Sequence, residues 1–170
     1  MWKALLDRKL NYAHHVIIEI LLRGVGMLVA QILQSKSSQG VVTIRSSTTV
    51  SEAAQTLADR KFGSLVVSDD GKKAVGILSE RDIVRIIAKS GPSVLTDTVA
   101  PHMTTAVVTC SKNATADQIL ATMTERRFRH MPVVENGELI GLITLGDVVK
   151  SRLTELAMEK DALEGMIMGY

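Results

Sequence analysis

Apolar and polar positions follow two rhythms along this chain, one short and one helical. Between Phe128 and Asp147, two short apolar runs, Met131–Val134 and Leu139–Ile143, flank a polar turn containing Asn136-Gly137. This pattern predicts a β-hairpin, because Asn-Gly accepts the positive φ angles of a tight turn between twisted strands. The second run ends at Thr144-x-x-Asp147 and passes into an apolar-periodic segment from Val148, which predicts a helix start. A weaker copy lies upstream, with Leu65-Val66-Val67, then Gly71, then Val75-Gly76-Ile77-Leu78 leading into Ser79-Glu80-Arg81-Asp82.

The copy extends well beyond the hairpin. Val42-Thr43-Ile44 aligns with Val108-Thr109-Cys110, Thr49 with Thr115, Leu57 with Met123, Arg60 with Arg126, Phe62 with Phe128 and Gly71 with Gly137, all at one offset. After a one-residue slip in the hairpin turn, Gly76, Ser79 and Asp82 meet Gly141, Thr144 and Asp147. A register kept over so many positions identifies an internal repeat. Each copy predicts a short strand (Val41–Ile44; Val107–Cys110), a Ser/Thr-rich turn, an amphipathic helix, the hairpin and a closing helix. The first amphipathic helix shows Val50, Ala53, Ala54 and Leu57 on one face, and the second shows Ala116, Ile119, Leu120 and Met123. Ile83, Ile86 and Ile87 give the first closing helix its apolar side. Lys89-Ser90-Gly91-Pro92-Ser93 forms the joint, followed by a helix-like turn up to Ala100-Pro101. The apolar turn Leu28–Leu33 occupies the matching place before the first copy.

A unit of this size is too small to be stable alone, so the two must share a fold. The expected class is α/β (α+β): two pseudo-twofold-related repeats, each a small sheet with helices, with flanking N- and C-terminal helices and two related clefts between the halves. The expected division is an N-terminal extension at 1–26, a first repeat at 27–92, a second at 93–153 and a C-terminal amphipathic helix at 154–170. Met27 is expected to open the module, and the extension is either an appended helix or a wrongly assigned start, with a membrane-surface helix as the other reading. In the tail, Val149, Leu153, Leu156, Lys160, Leu163 and Ile167 follow the a/d spacing of a coiled-coil seam, interrupted by Lys160. Glu155, Glu159 and Lys160 are expected on the remaining surface or its edge. The seam would serve a partner, or pack on its own module.

Composition narrows the function. The 170 residues carry a formal net charge of +2 and only 3% aromatic residues, which argues against nucleic acid, since single-strand binders need stacking platforms. The apolar run Val16–Leu22 is interrupted by Glu19 and is too short to span a bilayer, and no cleavage site for a secretory signal follows it. The lone Cys110 rules out an internal disulfide framework and fits a small core residue in a reducing, cytoplasmic setting. Adjacent in sequence, His14 and His15 would point to different faces of a helix and are expected to make a poor metal pair. No metal-spaced His/Cys set, nucleophile–base pair or Gly-rich phosphate loop is present, so no catalytic residue and no catalytic cofactor is assigned.

Taken together, the element order, Phe128-x-x-x-Pro132-Val133-Val134, the two Gly-Ile/Leu-x-Ser/Thr-x-x-Asp endings and His102-Met103-Thr104 before the second copy resemble a tandem pair of cystathionine-β-synthase (CBS) domains. Such a pair is called a Bateman module, and the resemblance covers roughly 27 to 153. It implies an adenosine-containing ligand (AMP, ADP, ATP, S-adenosylmethionine or NADH), a regulatory, energy-sensing role and a disc-like homodimer acting on a protein the sequence does not identify.

Ser79-x-x-Asp82 and Thr144-x-x-Asp147 stand where a strand gives way to a helix. The plain reading is a capping box, in which the hydroxyl and the acid satisfy free backbone N–H groups. The functional reading is a helix end that meets phosphate and a carboxylate that accepts ribose hydroxyls. The resemblance places Asp82 and Asp147 on ribose and Ser79 and Thr144 on ribose or phosphate. It also sets adenine against the first strand of the opposite copy, with Val41, Val42 and Thr43 for the Asp147 ligand and Val107, Val108 and Thr109 for the Asp82 ligand. The same valines also suit ordinary strand core. Arg81, Arg129 and His130 fall where the family meets phosphate, a task suited to the guanidinium fork. His130 is equally readable as a strand-edge residue hydrogen-bonded to backbone. Val66 stands where the second copy has Pro132, Gly63-Ser64 replaces Arg129-His130, and Gly146 replaces Arg81, so the two clefts should differ. A ligand-free dimeric scaffold, with both boxes serving only as caps, is the alternative function.

Overall fold

The computed structural model describes residues 26–36 and 40–168, so the expected N-terminal extension lies almost wholly outside the described residues. The element order is α1 (Val29–Ser35), β1 (Thr43–Ile44), α2 (Val50–Arg60), β2 (Ser64–Val67), β3 (Gly76–Ser79), α3 (Glu80–Ser90), a 3-10 turn (Pro92–Thr96), α4 (Ala116–Arg126), β4 (His130–Glu135), β5 (Glu138–Thr144) and α5 (Leu145–Met168). The class is mixed α/β with two small sheets. In the first, β1 runs parallel to β2 and β2 antiparallel to β3; in the second, β4 and β5 form an antiparallel hairpin. Asn136 and Gly137 both adopt positive φ at its turn, as a tight hairpin requires.

Local chemistry explains the helices. Thr49 and Thr115 each cap the following helix, accepting the N–H of Glu52 and of Gln118, while those side chains reach back to the cap N–H. Such caps contribute about 1 kcal/mol each. Val50, Ala53 and Leu57 are buried on α2, and Ala116, Ile119 and Met123 on α4, with Ala54 and Leu120 half-covered at the edges.

The first strand of the second repeat is where expectation and structure part. Val107–Cys110 is not a strand; only Cys110 joins β4, through Cys110 N to Pro132 O at 3.1 Å and Val134 N to Cys110 O at 2.8 Å. The next rung would need an N–H at Pro132, which has none. Val66 stands at the equivalent place in the first repeat and supplies that donor, so β1 forms there. Even β1 is shorter than the expected Val41–Ile44.

Two cores result, and each draws on the segment that precedes the other repeat. Val29 and Ile32 of α1 pack with Met123, Met131, Val133, Ile143 and Val148, while Val99 packs with Leu57, Leu65, Leu78 and Ile83. Backbone bonds repeat the exchange: Val29 N donates to Ala114 O and Ala116 N to Met27 O, matched by Val99 N to Thr48 O and Val50 N to Asp97 O. The α5 helix leaves Val149, Leu153, Leu156 and Leu163 exposed, so these four seam residues are not packed into the described module. Glu155, expected at the surface, instead accepts the Met27 N–H and an Arg152 Nη1–H and ties the helix to the start of α1. Among the described residues, no helix is long and apolar enough to cross a membrane.

Candidate functional site

The strand β3 ends at Ser79 and α3 begins one residue later, so the backbone turns just where Ser79-x-x-Asp82 falls. The capping geometry is complete. Asp82 N donates to Ser79 Oγ at 3.3 Å, and Asp82 Oδ2 accepts from Ser79 N at 3.0 Å and Ser79 Oγ at 2.6 Å. The second repeat reproduces it: Asp147 Oδ2 accepts from Thr144 N and Thr144 Oγ1, both at 2.8 Å, and Asp147 N donates to Thr144 Oγ1 at 3.2 Å. In each box the cap engages Oδ2.

A cavity of about 450 Å³ opens beside the first box. Ser79, Arg81 and Asp82 line it from the start of α3, Val107 and Val108 from the segment entering the second repeat, and Arg129 and His130 from the start of β4. The fold thus brings seven of the expected residues together across the two repeats: Ser79, Arg81, Asp82, Val107, Val108, Arg129 and His130. Thr109 is not part of the lining. Thr144 and Asp147 lie apart from this cavity, and Val42 packs against the first core. Thr43 lies in β1, paired with Val66.

Several lining residues were not singled out from the sequence. Arg85 Nη1 donates to Asp82 Oδ1 at 3.1 Å, a contact that the three-residue spacing on a helix could have revealed. Arg127 joins Arg81, Arg85 and Arg129, so four arginines face two carboxylates, Glu80 and Asp82. Ser64, the repeat counterpart of His130, also lines the cavity; it is 3% exposed and its hydroxyl has no partner among the described residues. At the second box, Lys36 Nζ donates to Asp147 Oδ2 at 2.7 Å. No local spacing connects these two residues.

Burial lowers the pKa of His130, with Glu80 pulling the other way and Arg129 adding to the depression, so the imidazole is neutral near pH 7. Burial alone would raise Asp147, but the Lys36 ammonium and the Thr144 donors outweigh it and hold the carboxyl below its usual value. Cys110 is pushed up to about 11 by burial, which keeps it a thiol and a poor nucleophile. Among the described residues, no group of three or more His, Cys, Asp or Glu side chains could hold a metal ion.

The CBS domain profile matches residues 29–89 and 98–154. The fold is that of a CBS-domain containing protein from Agrobacterium tumefaciens, with a TM-score of 0.71, 43% identity and coverage of 76% of this chain and 96% of that one. It also matches CBSX2 in complex with AMP (TM-score 0.64, 26% identity, 76% of this chain and 98% of that one). A third match is the CBS domain pair of protein MJ0100 in complex with 5′-methylthioadenosine and S-adenosyl-L-methionine (TM-score 0.64, 26% identity, 73% and 98%). Among sequence relatives, the chain covers 76% of a 17.7 kDa protein of Acidianus ambivalens at 30% identity, but only 22% of the longer CBSCBSPB1 of Arabidopsis thaliana at 32%. The profile falls on both halves and takes in the two capped Ser/Thr-x-x-Asp boxes; the chain belongs to the CBS domain family, as a tandem pair.

Proposed function

We propose that this CBS pair is a non-catalytic regulatory module that binds an adenine nucleotide in the Asp82 cleft and signals through a homodimer. The observation that carries the reading is the cavity itself, where one carboxylate, an apolar edge and a cluster of cations converge between the repeats. Val107 and Val108 offer adenine a flat apolar wall. Asp82 keeps Oδ1 for a ribose hydroxyl once the exposed Arg85 swings away. Arg81, Arg127, Arg129 and His130 suit phosphate, supported by the positive end of α3. Four arginines favour AMP, ADP, ATP or NADH over S-adenosylmethionine, whose sulfonium is itself a cation. The AMP-bound and S-adenosylmethionine-bound relatives support the ligand class.

The dimer reading rests on a repeated feature: Val84 and Val149, each two residues beyond its box aspartate, are 68% and 42% exposed. A pair of large apolar side chains related by the repeat suits a symmetric interface. Light scattering of wild type and Val84→Asp tests this, a monomeric wild type counting against it. A cytoplasmic setting agrees with the single unreactive thiol and is open to fractionation.

A second reading, a ligand-free dimeric scaffold, is favoured by the completeness of the capping boxes, which need no ligand to be satisfied. Calorimetry separates the two. Wild type should bind AMP, ATP or NADH, and Asp82→Ala should weaken binding about tenfold or more, the scale of losing a charged hydrogen-bond acceptor. Absence of binding to all of them leaves the scaffold.

A further inference from the structure

The two capped boxes are flanked alike, and one difference between them singles out one side chain. In each repeat a glycine of the second hairpin strand is covered by an apolar side chain from the segment that precedes the other repeat. Leu33 covers Gly141, where a Cβ would come within 2.8 Å of its methyl groups, and Met103 covers Gly76. Three residues beyond these covering side chains stand Lys36 and Ala106. Ala106 contributes only a methyl group to the wall of the Asp82 cavity.

Lys36 does something different. Its Nζ donates to Asp147 Oδ2 at 2.7 Å and to the carbonyl of Leu142 at 2.9 Å. Leu142 is the repeat counterpart of Ile77, whose carbonyl accepts the backbone N–H of Thr104 at 2.9 Å. The ammonium therefore replaces a backbone donor on the strand edge and reaches past it to the carboxylate. Asp82 also meets a cation, but Arg85 comes from its own helix and its side chain is 67% exposed, whereas Lys36 is 25% exposed and held at two acceptors.

We propose that Lys36 is a built-in competitor that closes the Asp147 cleft, leaving each protomer one nucleotide site, at Asp82. The inference rests on the nucleotide reading given above. A ribose hydroxyl is a neutral donor, so its hydrogen bond to the carboxylate lacks the attraction between opposite charges that the Lys36 ammonium adds. A nucleotide entering the second cleft would have to displace an ammonium that is already in place. In the first cleft it displaces only an exposed side chain.

Titration calorimetry of the full chain with ATP tests this on wild type, Lys36→Ala, Asp82→Ala, Asp147→Ala and Lys36→Ala combined with Asp82→Ala. Lys36→Gln, which keeps most of the stem, is a second variant, and thermal melts check folding. Wild type should bind one ATP per protomer and lose it on Asp82→Ala. Lys36→Ala should bind two, and the combined variant should keep one. Two ATP bound by wild type, or one still bound by Lys36→Ala and Lys36→Gln, overturns the closure and leaves the Asp82 reading intact. No binding by wild type but one ATP on Lys36→Ala upholds the closure and removes the Asp82 reading. Binding by neither, or wild-type binding lost only on Asp147→Ala, removes both.

Discussion

The imidazole of His130, carried by the second repeat, lies against Gly63 of the first, so that a methyl group on Gly63 would come 3.1 Å from Cε1 and 3.2 Å from Nε2. Gly63 is the repeat counterpart of Arg129, the neighbour of His130. A missing side chain in one half thus makes room for the imidazole of the other, and the divergence of the two copies is complementary. Gly63→Ala should push the ring by a few tenths of an ångström and cost about 1 kcal/mol, the low end of overpacking. Urea denaturation reads the cost, and the His130 Cε1–H resonance reads the displacement; an unmoved resonance contradicts the contact.

Ser64 buries a hydroxyl without a partner among the described residues, at the wall of the cavity. An orphaned buried polar group costs about 1–3 kcal/mol. Ser64→Ala should therefore raise the melting temperature of the unliganded protein, and it should reduce the further rise produced by ATP. Melts with and without ATP measure both, and a destabilised Ser64→Ala protein would mean that the hydroxyl already has a partner.

His130 should couple nucleotide binding to protons. Burial depresses its pKa in the folded state, so the stability associated with its neutral form is complete above the unfolded value, about 6.5, and is lost as pH falls through the folded value. A phosphate beside the ring would raise that pKa, so binding takes up a proton. ATP affinity should rise between about pH 7.5 and about pH 6, and more steeply in wild type than in His130→Gln. Calorimetry in buffers of different ionisation enthalpy counts the proton directly.

Asp147 should shape the acid limb of stability. Its folded pKa is depressed, so its contribution is complete above the unfolded value, about 3.9, and disappears as pH falls through the lower folded value. Lys36→Ala should melt earlier than wild type at pH 7, and the gap should close as pH drops below about 4. A gap that persists in acid would assign the Lys36 effect to packing and not to the ion pair.

The capping boxes, the hairpin with its Asn136-Gly137 turn and the buried faces of α2 and α4 were legible in the sequence, because each is set by residues within a few positions of one another. The repeat was legible because the same local choices recur in register. Pro132 was visible as a departure from Val66, but its consequence was not. That a missing N–H dissolves the strand at Val107–Cys110 depends on which rung of a parallel ladder the proline occupies.

By itself, then, the sequence determined two copies of one capped strand–helix unit and their family, and it named the seven side chains that the fold gathers at the Asp82 cavity. How the surroundings of the two boxes differ was decided only by tertiary structure. Lys36 reaches Asp147 across 111 positions because Leu33 settles on Gly141 and carries the end of α1 over the second box. His130 meets Gly63 only because the halves face one another. Both contacts depend on how two separately encoded units dock, and no local periodicity records that geometry.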